Sequence, residues 1–498
     1  MQMLNPAPRV RSLANLASQA GLSFEGRDAA ITAIEYDHRK VGPGALFCAL
    51  PGANRHGSSY AAEAVALGAV AILTDSAGEP ECATLGVPVL VVDSPRSAMA
   101  QLAVEFFDRP QERMLTVGVT GTNGKTTTTN LIAAMLRAND LNPLLVGTVG
   151  LTLGSEHWPL ARTTPEAPDL LAWMAAAVEQ GSKSLVMEVS SQGLVLGRVD
   201  GLKFDVVLFT GLSQDHLDFH ETMEHYFEAK ASLFTVERAA RGVICLDDEW
   251  GHLLADWCSI PFLTYSVDQP ADWVANEVAV DSKGQSTYLA CGPRELALPI
   301  SVSIPGTFNI ANSLAAVAAA DSLGLHLPLA CAALPEVTVP GRLERIECGQ
   351  DFVVLVDYAH TPDAVGRALQ VAKAAATGKV IAVLGCGGDR DRGKREPMGA
   401  AAAAVADVVL VTDDNPRSED PALIRSAVLK GAQSEEAEAI EIGNRREAIH
   451  TACRMAAPGD WVLILGKGHE SGQEVAGVVT PFDDRVVAAE AVASVMNS

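Results

Sequence analysis

The sequence predicts an α/β protein that is built on parallel sheets and divided into about three domains. Its length of 498 residues is too great for a single domain with one hydrophobic core, because domains average roughly 150 residues. Hydrophobic residues make up 48% of the chain, which excludes general disorder. Short apolar runs that end in glycine or polar residues alternate with longer helical segments. This alternation is typical of the strands and crossovers of a parallel sheet.

Three stretches show this alternation and give the expected domains. Residues 1–107 contain the strand-like runs GALFCAL, AVAILTD and VPVLVVD around an Ala-rich helical segment. Residues 108–338 contain MLTVGVTG, SLVMEVS and FDVVLFTGL. Residues 339–498 contain FVVLVDYAH, KVIAVLGCGG, DVVLVTDDNPR and WVLILGKGHE, separated by helical segments that include the alanine run GAAAAAVAD. The last stretch therefore predicts a doubly wound, Rossmann-like domain.

Charge and cysteine use narrow the class of protein. The 61 acidic and 37 basic residues give a formal charge of −24, which argues against nucleic acid or an anionic membrane surface as a partner. An anionic ligand must then meet local clusters of Arg and Lys. The nine cysteines show no CxxC pair and no metal-ligand spacing, as in reduced cytosolic proteins. With no apolar leader and no run of roughly 20 apolar residues, we expect a soluble, cytoplasmic protein.

The stretch VGVTGTNGKTTTTN, residues 117–130, predicts a phosphate-binding loop. Gly121 and Gly124 let the backbone turn its N–H groups toward phosphate oxygens, and the following helix adds its positive N-terminal dipole. Lys125 would neutralise the outer phosphates, and Thr126 would bind Mg²⁺. The loop is a shortened variant of GxxxxGK[ST]. A glycine turn before a surface helix is the alternative, but it does not explain the preceding strand and the Lys-Thr-Thr that follows.

Candidate metal ligands follow the next two apolar strands. Glu188 ends the strand-like run of LVMEVSSQG, where a metal-binding acid is expected in such folds. The segment GLSQDHLDFH gathers Asp215, His216, Asp218 and His220. His216 follows a strand parallel to the other two and is the candidate imidazole ligand. The other three are equally consistent with structural roles.

Lys230 lies in MEHYFEAKASLF, whose apolar spacing predicts an amphipathic helix. A lysine at such a position is usually solvated. The spacing alone does not separate that interpretation from a catalytic role.

Eleven motifs together resemble the Mur ligase family, in order and spacing and over nearly the whole chain. They are TGTNGKTTT, RTTPE, MEVSSQGLVLGRV, DHLDFH, YFEAK, PGTFNIANSLAA, VPGRLE, DYAHTPDA, GCGGDRDRGKR, DDNPR and GKGHE. The resemblance implies an N-terminal UDP-sugar-binding domain (1–107), a central ATP-binding P-loop domain (108–338) and a C-terminal amino-acid-binding domain (339–498).

The resemblance also implies a reaction in peptidoglycan precursor biosynthesis. With ATP and Mg²⁺, a carboxylate of UDP-N-acetylmuramoyl-L-alanyl-D-glutamate becomes an acyl phosphate, and the amine of meso-2,6-diaminopimelate displaces the phosphate. The implied catalytic residues are Lys125, Glu188, His216 and Lys230, and the implied metal ligands are Thr126, Glu188, His216 and Lys230. Lys230 is expected to be carbamylated (N6-carboxylysine), which requires an uncharged amine although a free lysine has a pKa of about 10.4. A monomer is expected.

The nucleotide and precursor sites are carried over from the same motifs. Nucleotide contacts are expected from Gly121, Thr122, Asn123, Gly124, Lys125, Thr126, Thr127, Asn309, Asn312, Arg342 and Asp357. For Asn309 and Asn312, a turn and helix cap is the alternative. Precursor contacts are expected from His38, Thr163, Thr164, Ser190 and Arg198. The chain departs from the family pattern at His38, Gln192 and Leu196, which bears on the uridine contacts.

The third domain selects the amino acid. A diaminopimelate site needs a cation and donors for the distal carboxylate and acceptors for its ammonium, and DDNPR supplies these groups. The expected contacts are Arg390, Asp414, Asn415, Pro416, Arg417, Gly466 and Glu470. A surface turn is the alternative interpretation of DDNPR, and an L-lysine-adding family member is the alternative function.

Other classes share parts of this pattern. A P-loop ATPase used as a switch or motor would hydrolyse ATP without a carboxylate and an amine. A folate-glutamate ligase would share the ATP contacts but would not be expected to carry DNPR. A noncatalytic binding protein is disfavoured because Lys125, Glu188, His216 and Lys230 are all present.

Overall fold

The computed structural model describes residues 4–52, 55–281 and 284–497. The chain forms two compact units, residues 1–265 with 315–330 and residues 266–314 with 331–498. Both are built on sheets with α-helices between parallel strands, which confirms the predicted α/β class. The domain boundaries predicted at 107/108 and 338/339 stay predictions.

A small parallel sheet forms the N-terminal part of the first unit. Its strand order is β3-β4-β5-β6. The second of these strands is buried along its whole length, as expected for a central strand covered on both faces. The elements are β1 Arg11–Ser12, α1 Leu13–Gln19, β2 Ala30–Ile31, β3 Ala33–Glu35, β4 Ala45–Cys48, α2 Ala61–Ala66, β5 Ala69–Thr74, α3 Glu79–Cys82, β6 Val89–Val91 and α4 Pro95–Phe106, with 3₁₀ turns at His38–Lys40, Gly57–Tyr60 and Pro110–Arg113.

A larger sheet follows in the same unit, in the order β10-β9-β8-β11-β7-β12-β13-β14. From β8 to β14 all neighbours are parallel, and β9 and β10 form an antiparallel edge. The elements are β7 Leu115–Thr120, α5 Lys125–Ala138, β8 Pro143–Gly147, β9 Gly150–Leu153, β10 Glu156–Trp158, α6 Ala167–Glu179, β11 Ser184–Glu188, α7 Ser191–Val195, β12 Phe204–Phe209, α8 Leu217–His220, α9 Met223–Ala231, β13 Ala239–Cys245, α10 Glu249–Trp257 and β14 Phe262–Ser266.

The second unit begins with an antiparallel meander. Its strands are β15 Trp273–Val280, β16 Ser286–Gly292 and β17 Leu296–Val302, with a 3₁₀ turn at Pro293–Glu295. Along the chain, α11 Thr307–Ser322, α12 Leu327–Ala332 and a 3₁₀ turn at Leu334–Glu336 follow.

The C-terminal sheet has the order β18-β19-β23-β20-β21-β22, and all its pairs except β18 with β19 are parallel. Separate apolar cores cover its two faces, one with α13 to α15 and the other with α16 and α17. This is the predicted doubly wound fold. The elements are β18 Glu344–Arg345, β19 Val353–Asp357, α13 Pro362–Ala375, β20 Val380–Leu384, α14 Arg395–Ala403, β21 Val408–Val411, α15 Pro421–Ala432, β22 Glu438–Glu441, α16 Arg445–Met455, β23 Trp461–Leu465, β24 Gly472–Val475, β25 Val478–Pro481 and α17 Asp484–Met496.

The strand orders explain which loops lie close together. In the first unit, β11, β7 and β12 are adjacent and parallel, so the segments that follow them leave the same edge of the sheet. In the second unit the same holds for β19, β23, β20 and β21. The motifs that follow these seven strands therefore form two groups, one on each sheet. Among the described helices, none is both long enough and apolar enough to cross a membrane.

The turn between β7 and α5 depends on glycine. Gly121 has φ 145° and Gly124 has φ 84°, backbone conformations that residues with a side chain rarely adopt. A Cβ at Gly121 would lie 2.0 Å from Thr210 Oγ1. The Thr210 hydroxyl donates to the carbonyl of Asn123 at 2.6 Å and to that of Thr120 at 3.2 Å. Thr210 cannot give way without losing bonds that hold the loop.

We expect Gly121→Ala to destabilise the first unit by about 1–3 kcal/mol, from backbone strain and displacement of Thr210. The measurement is the midpoint of thermal unfolding. Gly366→Ala is the matched control, because this glycine lies inside α13 with open space where a Cβ would stand. The control should stabilise by up to about 1 kcal/mol, as alanine favours a helix over glycine. Equal midpoints for the wild type and Gly121→Ala would contradict this account of the turn.

Candidate functional site

The predicted phosphate loop is an ordered turn at the start of α5. Its backbone is fixed from the neighbouring loop, since Thr122 N donates to the carbonyl of Gly211 at 2.9 Å. The Thr122 hydroxyl donates to the carbonyl of Ser213 at 3.1 Å and lies 3.2 Å from the hydroxyl of Tyr226. Asn123 Nδ2 lies 3.4 Å from Ser213 Oγ. Thr126 and Thr127 are buried in the first turn of the helix. Glycine turns and a helix N-terminus therefore meet at one place, as a phosphate requires.

Two lysines converge on one backbone oxygen of this loop. Lys125 Nζ donates to the carbonyls of Gly121 at 2.9 Å and Thr122 at 2.8 Å. Lys230 Nζ donates to the same Gly121 carbonyl at 2.8 Å and lies 4.5 Å from the ring centre of Tyr226. Lys230 is only 1% exposed. The interpretation of Lys230 as a solvated helix residue is therefore wrong, because α9 packs this side chain against the loop.

Burial and the neighbouring cation both disfavour a charged Lys230. Removal from water lowers the pKa of its amine well below the ordinary lysine value, and the Lys125 ammonium lowers it further. Asp215 acts in the opposite direction. An uncharged amine is the form of lysine that acts as a nucleophile. The site therefore favours the form of Lys230 that can react with a carbonyl carbon.

Glu188 ends β11 and is buried. Its carboxylate accepts hydrogen bonds from Thr148 N at 2.7 Å and from the Thr148 hydroxyl at 3.0 Å. The Thr148 hydroxyl lies 3.0 Å from the hydroxyl of Thr163. Thr164 donates to the Glu188 carbonyl at 3.0 Å and to Ser190 Oγ at 3.1 Å. The structure thus links three predicted precursor contacts to Glu188, Thr164 directly, Thr163 through Thr148 and Ser190 through Thr164.

The histidines after β12 have different surroundings. His216 has φ 53° and a side chain that is 46% exposed, with its Nε2 3.6 Å from Asp215. His220 is buried, and its Nε2 lies 2.8 Å from the hydroxyl of Ser191. Within the described ranges, no group of three or more His, Cys, Asp and Glu side chains is arranged to hold a metal ion. The predicted ligand set contains only two such residues, Glu188 and His216, so this observation does not test it.

Arg198 belongs to a cluster of arginines around one buried acid, Glu166. Arg198 Nε lies 3.1 Å from Glu166 Oε1, and its NH1 donates to the Thr164 carbonyl at 3.2 Å. Arg96 contacts the second carboxylate oxygen of Glu166, and Arg162 lies 3.3 Å from the first. Burial lowers the pKa of the Arg198 guanidinium, whereas Glu166 acts in the opposite direction. Three guanidinium groups against one carboxylate leave two positive charges for an anionic ligand.

The sequence-based reasoning missed Glu166 and Arg96. Glu166 stands in the quoted motif RTTPE, so an acid beside two candidate ligand threonines was the available signal. Arg96 had no such signal, because it reaches Glu166 from α4 across 70 positions of the chain. His38 lies elsewhere, stacked on Tyr60 with ring centres 4.4 Å apart.

The predicted adenosine and ribose contacts lie in the second unit. Asn309 Nδ2 donates to the Pro305 carbonyl at 2.6 Å, and Asn312 Nδ2 donates to Asn309 Oδ1 at 2.8 Å. Both amides are buried in the first turns of α11, so they also stabilise the helix start. Asp357 ends β19 and accepts from the backbone N–H groups of Leu343 and Ala359. Burial raises the pKa of this carboxyl, while Arg342 lowers it.

The loop DDNPR follows β21 and meets the segment after β23. Asn415 Nδ2 donates to Glu470 Oε2 at 2.8 Å. Arg417 NH1 donates to the carbonyl of Gly388, in the loop after β20, at 2.6 Å. A Cβ on Gly466 would lie 2.6 Å from Asp414 Oδ2. The structure therefore brings together Asp414, Asn415, Pro416, Arg417, Gly466 and Glu470, and the loop after β20 that carries Arg390 adjoins them. These side chains, here called the DDNPR group, present opposite charges and amide donors at the carboxyl ends of three adjacent strands.

A buried ion pair, which no local sequence pattern indicated, holds two of these loops. The Arg445 guanidinium binds both oxygens of Asp484, at 2.8 and 2.7 Å, and both side chains are 0% exposed. Arg445 NH2 also donates to the Leu465 carbonyl at 3.0 Å, and NH1 to the Asp413 carbonyl at 3.4 Å. One guanidinium thus joins the start of the loop after β21 to the end of β23. Its role depends on residues that are distant in sequence.

Comparisons with known proteins agree with this arrangement. Three family descriptions match successive parts of the chain: "Mur ligase family, catalytic domain" over residues 30–107, "Mur ligase middle domain" over 119–320, and "Mur ligase, glutamate ligase domain" over 341–468. Proteins from Streptomyces coelicolor and Streptomyces avermitilis, both named UDP-N-acetylmuramoyl-L-alanyl-D-glutamate--2,6-diaminopimelate ligase, are 48% and 47% identical to it over 487 residues. Each alignment covers 96% of this chain and 96% of the relative.

Solved structures give the same result for the fold. A structure of a protein with that ligase name aligns with a TM-score of 0.70 at 32% identity, over 98% of this chain and 99% of the other. The MurF ligase from Thermotoga maritima in complex with ADP aligns with a TM-score of 0.63 at 19% identity, over 93% and 96%, which supports the shared fold alone. The chain therefore belongs to the Mur ligase family, which confirms the family, the fold class and the amide-bond-forming class of enzyme predicted from its motifs.

Proposed function

We propose that this protein joins meso-2,6-diaminopimelate to UDP-N-acetylmuramoyl-L-alanyl-D-glutamate, with hydrolysis of ATP to ADP and phosphate, in the synthesis of peptidoglycan precursors. The observation that carries the proposal is the pair of separate sites: a phosphate loop contacted by Lys125 and Lys230 on one sheet and the DDNPR group on the other. The names of the relatives that are 47–48% identical support the choice of substrates.

The chemistry proceeds through two displacements. A carboxylate oxygen of the glutamyl residue attacks the γ-phosphorus of ATP, the bond to the bridging oxygen breaks, and ADP leaves. The amine of diaminopimelate then attacks the acyl carbon, loses a proton, and inorganic phosphate leaves. The first step brings anions together, so positive charge must offset their repulsion. We expect Lys125 to do this at the phosphates and Arg198 at the precursor. The contacts of Arg198 with Glu166 and the Thr164 carbonyl support its role by fixing the direction of its side chain.

Mg²⁺ would supply further charge neutralisation. The predicted set suits this hard cation in its chemistry, since Thr126, Glu188 and a carbamate on Lys230 all offer oxygen, with His216 as the imidazole partner. Asn309, Asn312, Arg342 and Asp357 remain the predicted contacts of the nucleoside. The monomeric state, the cytoplasmic location and the two domain boundaries remain predictions of the same proposal.

The state of the Lys230 amine supports the proposed carbamate. Carbamate formation needs an unprotonated nitrogen that attacks CO₂ and loses a proton, and burial beside Lys125 favours that form. The product is an anion at a position where the unmodified side chain is held uncharged. It would add an attractive contact with the Lys125 ammonium.

We expect ¹³C-labelled bicarbonate to give a carbamate carbon resonance in the wild-type enzyme and none in Lys230→Ala. Lys203→Ala is the control, because this lysine is exposed and lies in the same unit, and it should keep the resonance. Lys230→Ala should lose activity and regain part of it with added small carboxylates, which replace the missing anion. A resonance that persists in Lys230→Ala, or an inactive variant that no carboxylate rescues, would count against the carbamate.

The amino-acid site explains the choice of diaminopimelate over L-lysine. Diaminopimelate differs from lysine by a carboxylate on the distal carbon. Arg417 offers a guanidinium fork, held in place by the Gly388 carbonyl and by Glu474 at 3.7 Å, which can bind a carboxylate through two bonds. Asp414 and Glu470 supply acceptors for the ammonium beside it. L-lysine would leave the Arg417 fork without its anion.

ADP formation should require both the UDP-linked precursor and meso-diaminopimelate, and L-lysine should not replace the latter. Arg417→Ala should raise the KM for diaminopimelate by about 30-fold or more, because a charged pair loses one partner, and should leave the KM for ATP nearly unchanged. Arg367→Ala, an exposed arginine on α13, is the control. Full ADP formation without the precursor would indicate an ATPase switch. Equal turnover of the two amino acids would indicate a less selective ligase.

A further inference from the structure

Lys467 is a buried cation inside the DDNPR group to which the reaction assigns no role. It follows β23 and is 0% exposed. Its ammonium donates to Asn415 Oδ1 at 3.0 Å and lies 3.2 Å from Glu470 Oε2. Because it is buried beneath these two side chains, it can act on a ligand only through them. A buried lysine needs such partners to stay charged.

The contacts of Lys467 fix which way the Asn415 amide faces. An ammonium and a backbone N–H are donors only. The same Asn415 side-chain atom accepts a hydrogen bond from each kind of donor, from Lys467 Nζ at 3.0 Å and from Glu474 N at 3.0 Å. That side must therefore be the amide oxygen, and the NH₂ group must be on the other side, where it donates to Glu470 Oε2 at 2.8 Å. The orientation follows from the chemistry of the donors.

The same ammonium also contacts Glu470, whose Oε2 lies 3.2 Å from Lys467 Nζ. Asn415 is thereby held with its NH₂ group toward Glu470, and Glu470 accepts from both Asn415 and Lys467. A ligand that carries a carboxylate and an ammonium side by side matches both groups.

We propose that Lys467 is a positioning residue that sets the hydrogen-bond polarity of the amino-acid site and so contributes to selection of a distal carboxylate. The inference rests on the proposed function. Without Lys467, the Asn415 oxygen keeps only the Glu474 N–H as a donor, so the amide orientation is fixed less firmly, and Glu470 loses its contact with the ammonium. L-lysine has no distal carboxylate and is less affected. The loss should therefore reduce discrimination between the two amino acids.

The test is Lys467→Met, which keeps an unbranched side chain of similar length and removes the charge and the donors. We expect the KM for meso-diaminopimelate to rise about tenfold or more, because hydrogen bonds to charged groups are lost. The KM values for ATP and the precursor should change by less than about twofold, as these ligands do not depend on Asn415. Lys430→Met is the control, since that lysine is exposed and lies in the same unit.

A double-mutant cycle separates positioning from general stability. In an Asn415→Ala background, Lys467→Met should have a much smaller effect on the KM for diaminopimelate, because its main target is gone. Should Lys467→Met fail to fold, Lys467→Gln is measured instead. This variant keeps a donor without the charge, and a rise of about threefold or more is expected.

Some results would overturn the inference. These are an unchanged KM for diaminopimelate in Lys467→Met or its Gln replacement, equal rises for all three substrates, or fully additive effects in the cycle. Failure of the proposed function is distinguishable, because the wild-type enzyme would then not consume diaminopimelate at all.

Discussion

The parallel direction of neighbouring strands is the constraint on which the candidate sites depend. Adjacent parallel strands deliver their following loops to the same edge, whatever the distance between them in sequence. On the first sheet this brings together the segments after β7, β11 and β12. On the C-terminal sheet, β23 lies between β19 and β20 although it is the last strand of that sheet in chain order. The GKGHE segment is thereby placed between loops that precede it by many residues.

Within these edges, buried basic side chains are fixed by oxygen atoms at short distance. Lys230 is held by the Gly121 carbonyl, Lys467 by Asn415 and Glu470, and Arg445 by Asp484. A chain with a formal charge of −24 needs such local positive groups to receive anionic substrates. Burial makes their position well defined, but a buried charge is costly when its partner is removed. Each of these side chains therefore depends on its particular oxygen partners.

Much of the architecture could be predicted because it depends on local patterns. Apolar runs with polar ends predicted the parallel strands, and the glycines of the loop at 121–124 predicted a turn that the φ angles confirm. The DDNPR and GKGHE motifs were expected to act together, and the Asn415 to Glu470 contact agrees with this. In these cases the residues that matter immediately follow a strand, so their position can be derived from the strand itself.

The remaining features depend on contacts between distant residues. The burial of Lys230 results from its contact with Gly121, 109 positions earlier. The Arg96 to Glu166 and Lys467 to Asn415 contacts span 70 and 52 positions. No periodicity along one helix or strand encodes such pairs. A lysine on an amphipathic helix has the same local pattern whether it faces solvent or a phosphate loop, and only tertiary packing distinguishes the two.

The central claim is that ATP activates a carboxylate of the precursor by phosphorylating it. The most direct measurement uses UDP-N-acetylmuramoyl-L-alanyl-D-glutamate labelled with ¹⁸O in its glutamyl carboxylates, with meso-diaminopimelate as the acceptor. Mass analysis of the released inorganic phosphate should show one ¹⁸O atom per phosphate, because the oxygen that attacked phosphorus leaves with it. Unlabelled phosphate, released at the same rate as product, would contradict the account.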